Sequence, residues 1–233
     1  MAKIISNKDN LQVLYEDNHI IVVNKRVGDI VQGDKTGDKP LSDVVKDYIK
    51  ERYNKPGNVF LGVVHRLDRP TTGIVIFSRT SKALSRLNKM FAESKIRKTY
   101  WAVVANRPQP ENGRLIHWLK KDSLKNKSKA YNSEIKGSKN SILNYKLNKS
   151  INRYHLLEID LETGRHHQIR CQLSRMGWPV KGDLKYGFDR SNPDGGIHLH
   201  ARQITFVHPV SKEELNLVAP TPIADPVWKA FQE

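Results

Sequence analysis

His65-Arg66-Leu67-Asp68-Arg69-Pro70-Thr71-Thr72-Gly73, or HRLDRPTTG, lies between two short apolar runs, Val59 to Val64 and Ile74 to Phe77. Both runs predict buried strands, which puts the charged turn at the edge of a sheet, where sites are usually built. The turn sets one carboxylate, Asp68, between two guanidinium groups, Arg66 and Arg69. An anion among cations, flanked by apolar chain, favours its charged form and is able to act as a nucleophile.

The rest of the chain fixes the setting. It has 233 residues, enough for one domain with a real core, or one with an inserted or appended lobe, but not for two large independent domains. Lys and Arg number 40 against 24 Asp and Glu, a formal charge of +16. Solubility alone does not require that excess, and a polyanionic partner, nucleic acid above all, is the leading explanation. The bland alternative is a basic enzyme whose charge has no partner. A membrane surface fits less well, because the basic residues are spread along the chain and no basic amphipathic helix stands out. Cys171 is the only cysteine, so an internal disulfide and a cysteine-based zinc site are both excluded. No apolar run approaches the roughly 18 residues of a membrane span, and the start carries no apolar leader. A soluble cytoplasmic protein is expected.

Leu11–Tyr15 and Ile20–Val23 predict a hairpin around the turn residues Glu16-Asp17-Asn18. From Leu41 the positions Val44, Val45, Tyr48 and Ile49 have helical spacing, with Ser42 expected to cap the start and Pro56-Gly57 to stop the element. Leu84, Leu87, Met90 and Phe91 share a face of a second helix over Ser81–Glu93. Thr99–Val104 and Tyr154–Leu161 read as strands, and His167–Met176 as a third helix with Gly177 at its end. Strands are expected around Leu199–Phe206 and Leu215–Ala219, then a short terminal helix. Between Trp118 and Ser150 nine lysines face only Asp122 and Glu134. That segment, 118–150, reads as a protruding loop or hairpin touching phosphates, or equally as a solvated connector.

HRLDRPTTG is one of a series. Lys98-Thr99-Tyr100-Trp101-Ala102-Val103 puts a tyrosine on a strand. Thr163-Gly164-Arg165-His166-His167-Gln168-Ile169-Arg170 puts an arginine after a glycine at a strand-to-helix junction. Gly182-Asp183-Leu184-Lys185-Tyr186-Gly187, His198-Leu199-His200-Ala201 and Phe206-Val207-His208-Pro209 follow. In this order, from about Leu11 to His208, these motifs resemble the RNA pseudouridine synthases of the RluA family, which modify ribosomal and transfer RNA. Asn24-Lys25-Arg26-Val27-Gly28 stands where the family has an Asn-Lys-Pro-x-Gly turn. His166 replaces a threonine and Gln172 a histidine common in members.

The resemblance implies an α+β fold, with a mixed, largely antiparallel sheet, flanking helices and a central basic cleft. Residues 1–10 would be an N-terminal extension and 11–233 the catalytic domain, without the small RNA-binding domain that many members carry in front. It also implies that Asp68 is the catalytic aspartate, Tyr100 the tyrosine stacked on the target base and Arg165 the arginine paired with the aspartate. Arg66 would fill the gap left by a flipped nucleotide. Arg66 and Arg69 are the alternative partners of Asp68, and His65, Thr72, Gln168 and Arg170 complete the expected RNA-binding set.

The chemistry agrees with these roles. A uridine inside folded RNA must leave the stack to be re-bonded to its ribose, at a cost of a few kcal/mol. A carboxylate then assists either as a nucleophile or as a base removing a sugar proton, and the sequence leaves both open. Tyr100 is a platform for the base or a phenol that takes the proton from carbon 5. Isomerisation is redox-neutral and hydrolyses nothing, so no cofactor or metal is expected, and the chain has no GxGxxG, GxxxxGK[ST] or HExxH. RNA is the expected partner, met by a monomer without an obligatory protein partner. Two other readings stand: an RNA-binding assembly factor that does no chemistry, and a nuclease whose metal would be held by His166, His167, His198, His200 and Asp183.

Overall fold

The computed structural model describes residues 4–232. In chain order the elements are β1 (Val13–Glu16), β2 (Ile20–Lys25), α1 (Leu41–Arg52), β3 (Gly62–Val63), β4 (Thr72–Ser78), α2 (Ser81–Ala92), β5 (Arg97–Val104), β6 (Asn112–Asp122), β7 (Lys127–Tyr131), β8 (Lys139–Ile151), β9 (Tyr154–Leu161), α3 (Gln168–Arg175), β10 (Leu199–Val207), β11 (Glu214–Val218) and α4 (Pro226–Gln232). The chain forms two compact units, one running to Ile96 and taking in Ala201–Thr221, the other comprising Arg97–His200 and the residues from Pro222 on.

In the first unit β2 lies antiparallel between β1 and β4, and β11 pairs with β10. Every residue of β2 and β4 is buried, which explains their unbroken apolar runs. Ile20, Val22, Ile74 and Ile76 meet Ala83 and Leu87 of α2 together with Ile204 and Phe206. Helix α2 begins where Thr80 Oγ1 accepts the Ala83 N–H at 3.2 Å, an ordinary N-cap. The cap expected for α1 is different. Ser42 does not cap it; Pro40 precedes the first turn, and the N–H groups of Leu41 and Ser42 donate to the carbonyls of Ile30 and Val31 at 2.7 and 3.2 Å. The loop leading into the helix satisfies the end groups that a serine would otherwise serve.

The run 59–64 is also shorter as a strand than its composition predicts. Only Gly62 and Val63 pair, with Ser78 and Phe77, while Phe60 is 49% exposed. Of the expected extension 1–10, residues 1–3 lie outside the described part. Ser6 is anchored, its N–H and hydroxyl donating to Asp29 at 2.9 and 2.6 Å.

In the second unit β5, β9, β8, β6 and β7 form an antiparallel run. Alternation divides its faces. Tyr100, Ala102 and Val104 of β5 face Ile159 and Leu157 and, from α3, Ile169 and Leu173, whereas Trp101 and Val103 face Trp228 and Phe231 of α4. The lysine-rich segment belongs to this sheet. β6 and β7 make a hairpin, and Ser141, Leu143 and Tyr145 are buried on alternate positions of β8. The intervening Asn and Lys residues hide that period from a composition count.

Burial holds four imidazoles, His117, His155, His198 and His208, below the ordinary histidine range. For His198, burial outweighs the opposing hydrogen bond to Asp225 Oδ1 at 2.9 Å. The unfolded chain then takes up more protons than the folded one as pH falls below about 6.5, so stability is complete above that value and lost on acidification. A thermal melt series from about pH 7.5 to 5.5 is expected to show a falling Tm, less steeply in His198→Gln; a flat Tm would mean that these histidines titrate as in free peptides.

Candidate active site

In the first unit the HRLDRPTTG turn is fixed by buried charge. Lys25, at the end of β2, is 1% exposed, and its ammonium donates to the carbonyls of Arg26, Arg69 and Thr71 at 3.0, 3.1 and 2.7 Å. Two of those acceptors flank Asp68 on its C-terminal side. The Arg69 carbonyl also takes the N–H of Gly28 at 2.9 Å, and the Asp68 carbonyl takes that of Thr71 at 3.0 Å, closing a β-turn. A buried ammonium is tolerated only with its donors satisfied, and these carbonyls satisfy them.

Arg69 closes the other side. Its guanidinium donates to Asp38 at 2.5 Å, Thr36 at 2.8 Å and Asp34 at 3.4 Å. These contacts raise its pKa and hold both aspartates low, chiefly Asp38 through Arg69 and Asp34 through Thr36. Arg69 is thus a clasp on the 34–38 loop, a role its position beside Asp68 did not disclose. Gly73 allows the strand after the turn to pass. Its φ is +111°, and a Cβ there would meet the Ala201 backbone at 2.4 Å.

Among the other first-unit residues expected at the site, Asp68 is half-buried and Arg66 is exposed. Thr72 is 2% exposed as the first residue of β4, so it serves the strand. His65 accepts the Ile76 N–H at its Nε2, 2.9 Å away, and stacks on Phe91 with ring centroids 4.8 Å apart. Its ring thereby supports β4.

The second unit holds the remaining candidates. Tyr100 is half-buried on β5 beside Ile159. Arg165 is exposed, and its Nε donates to the Asn140 carbonyl at 3.0 Å. Gln168 shapes the loop that carries it. The amide oxygen accepts from the Arg165 N–H at 2.9 Å and the Thr163 hydroxyl at 2.8 Å, while Nε2 donates to the Ile142 carbonyl at 3.0 Å. At 3% exposure Gln168 is scaffold here, and Arg170, at 4%, holds Asp183 through two hydrogen bonds of 2.6 and 2.9 Å. His167, just before α3, has φ 54°, and its Nδ1 is 2.9 Å from the Tyr186 hydroxyl. His198 is bound through both ring nitrogens, to Asn192 and Asp225, each at 2.9 Å. Burial pushes the Cys171 thiol up to about 11, in keeping with a packing role.

Sequence reasoning did not read Lys25 or the Asp34–Asp38 clasp. The signal for Lys25 was present: a lysine closes the run Ile20-Ile21-Val22-Val23-Asn24-Lys25, in a strand with no exposed side. Lys25→Met, which removes the ammonium from three carbonyls and leaves the Arg69 carbonyl only its Gly28 donor, is expected to lower unfolding stability by about 3 kcal/mol, read from denaturant midpoints. A change within about 0.5 kcal/mol would deny Lys25 this part.

The RNA pseudouridylate synthase family model matches residues 19–175. The chain is 31% identical to tRNA pseudouridine synthase C of Vibrio parahaemolyticus, over 90% of this chain and 89% of that protein. It is 32% identical to ribosomal large subunit pseudouridine synthase C of Buchnera aphidicola, over 91% of this chain and 68% of that one. Among solved structures, Human RNA Pseudouridylate Synthase Domain Containing 4 shares the fold with TM-score 0.76 at 24% identity, over 91% of this chain and 88% of that one. A turn built around one carboxylate, on the fold of these enzymes and with their sequence along most of its length, places the chain in the RNA pseudouridylate synthase family.

Proposed function

We infer that this enzyme isomerises particular uridines of ribosomal or transfer RNA to pseudouridine, with Asp68 as the catalytic carboxylate. Supporting this reading above all is the clamped turn: Lys25 and Arg69 fix the backbone on which a half-exposed carboxylate stands. A catalytic group must be held in one geometry, and side chains locked by their own contacts provide that.

The steps follow from the substrate. The uridine is swung out of its strand, and Arg66, exposed two residues before Asp68, enters the gap. Tyr100 offers its ring as the surface on which the base stacks. Asp68 assists as nucleophile on the sugar or as base, the C1′–N1 bond breaks, the base rotates, C1′–C5 forms, and C5 gives up its proton while N1 gains one. Arg165, whose Nε donates to the Asn140 carbonyl, supplies the positive charge that the resemblance assigns to the carboxylate. Uridines in loops, with bases free to splay, are the expected targets.

The β6–β7 hairpin suits the phosphates. Trp118 lies opposite Tyr131 and Lys120 opposite Lys129, with Leu124 99% exposed at the tip. Like charges directly across a ladder repel, and a polyanion between them removes that cost. No helix among the described residues is long and apolar enough to cross a membrane. Work in the cytoplasm as a monomer, without a protein partner, is part of the same proposal.

Asp68→Asn is expected to abolish product while RNA affinity stays within about 3-fold, measured by mapping pseudouridine in RNA from cells lacking the protein after incubation with each variant. Product formed at the wild-type rate would remove Asp68 from its role. For the hairpin, the double variant Lys120→Ala, Lys129→Ala is expected to reduce the log–log salt slope of RNA binding by roughly 1.5 to 2. An unchanged slope would put the phosphates elsewhere.

A further inference from the structure

Strand β5 carries a second polar side chain on the face that presents Tyr100. Successive side chains of a strand alternate, so Lys98 and Tyr100 share a face and sit roughly 7 Å apart along it. The cross-strand partners confirm the division: Tyr100 and Ala102 oppose Ile159 and Leu157, both in the core on that face, whereas Thr99 and Trp101 oppose Asp160 and Glu158 on the other. The ammonium of Lys98 ends beside the loop that bears Arg165, for a Cβ built on Gly164 would lie 3.5 Å from its Nζ. The side chain is half-buried.

We propose that Lys98 is a further catalytic residue, its ammonium donating to a carbonyl oxygen of the uracil ring that rests on Tyr100. The proposal builds on the reading of Tyr100 given above. A uracil drawn out of water onto an aromatic surface brings carbonyl oxygens that lose their hydration, and a donor placed along the same face restores it. The ring's demand rises during the reaction. When C1′–N1 breaks, the electron pair stays on the base, and the negative charge spreads over N1 and the adjacent carbonyls. Closing C1′–C5 uses that electron pair and neutralises the base; loss of the C5 proton matched by protonation of N1 then gives pseudouridine, so nothing beyond the substrate is consumed. A fixed cation at a carbonyl gains most at the charged stage, which makes its contribution one to rate rather than to affinity. Desolvation lowers the lysine's pKa, in keeping with a cation drawn into a dry site. Gly164 lies within ordinary contact distance of the ammonium.

The test uses the full chain and RNA from cells lacking the protein, with pseudouridine formation followed in single turnover at saturating enzyme and RNA binding measured separately. Lys98→Met is expected to slow the step about 100-fold while the Kd changes less than about 3-fold, and Lys98→Arg to recover at least about 10-fold of that loss. A weakened Kd with an unchanged rate would mean that Lys98 holds phosphate and would overturn the proposal, as would a Lys98→Met rate within about 3-fold of wild type. If Lys98→Met fails to fold, Lys98→Arg decides: it keeps charge and stem, and a rate no better than that of Asp68→Asn would overturn the assignment. Wild-type enzyme that forms no pseudouridine would instead sink the functional reading beneath it, a result distinct from an active wild type with an equally active Lys98→Met.

Discussion

A single ammonium under three carbonyls governs the first unit. Lys25 reaches from the end of β2 to the carbonyls of Arg26, Arg69 and Thr71, and so ties the strand, the loop that follows it and the Asp68 turn into one piece. The interaction works in both directions. An ammonium at 1% exposure has no water to solvate it and needs every donor occupied, while the turn's carbonyls, pointing inward, need a donor that no strand supplies. Either set alone would be a cost to the fold, and together they make the turn rigid. Arg69 adds a second hold at the same residue, its carbonyl facing Lys25 and Gly28 and its guanidinium facing Asp38 and Asp34. Between these restraints Asp68 keeps its backbone still and its carboxylate half-exposed.

The second unit reaches a similar end by other means. The loop before α3 turns through a left-handed residue, His167, a conformation that costs a non-glycine residue free energy. Three contacts hold it: the Tyr186 hydroxyl on His167, the His166 ring stacked at 3.8 Å, and the Gln168 amide bridging Thr163, Arg165 and Ile142. Tyr186 is itself fixed by Ser128, whose N–H donates to its hydroxyl at 2.8 Å, and by Arg170, whose guanidinium lies 5.0 Å from its ring centre. Arg170 and Asp183, at 5% and 1% side-chain exposure, form an ion pair that would cost free energy if either partner were lost. Arg165 is therefore an exposed side chain on a backbone whose conformation is set from beneath.

How much of this was legible follows from the range over which each signal acts. Helix α2 and strands β2, β4 and β9 are set by local pattern, and the sequence placed them to within a few residues. Elements decided by partners elsewhere in the chain were misjudged. Val59 and Phe60 have strand composition, but of their run only Gly62 and Val63 pair, with Ser78 and Phe77. Ser42 has the chemistry of a cap, yet the Ile30 and Val31 carbonyls already serve the helix start. At the proposed site, motif order singled out residues without showing which of them are buried. Gln168 and Thr72 sit within the quoted motifs yet are buried, and no count of spacing distinguishes a buried amide that shapes a loop from an exposed one that meets a ligand.

The distribution of charge separates two tasks that a +16 chain could have mixed. In the segments bearing Asp68 and Arg165 the neighbouring cations are matched: Arg69 at the surface with Asp38 and Asp34, and, buried, Arg170 with Asp183 and Lys25 with carbonyls. Toward the tip of the β6–β7 hairpin they are not, and Lys120, Lys121 and Lys129 have no carboxylate partner among the described residues. Buried matched charges are screened little by salt and fix geometry; unmatched surface charges are salt-sensitive and attract phosphate without reading bases. A nucleic acid held by the second group is positioned without disturbing the first, because displaced counterions, not displaced active-site ion pairs, provide the free energy of contact. Under the proposed function, grip and chemistry would fall to different residues, so that either could change while the other stayed as it is.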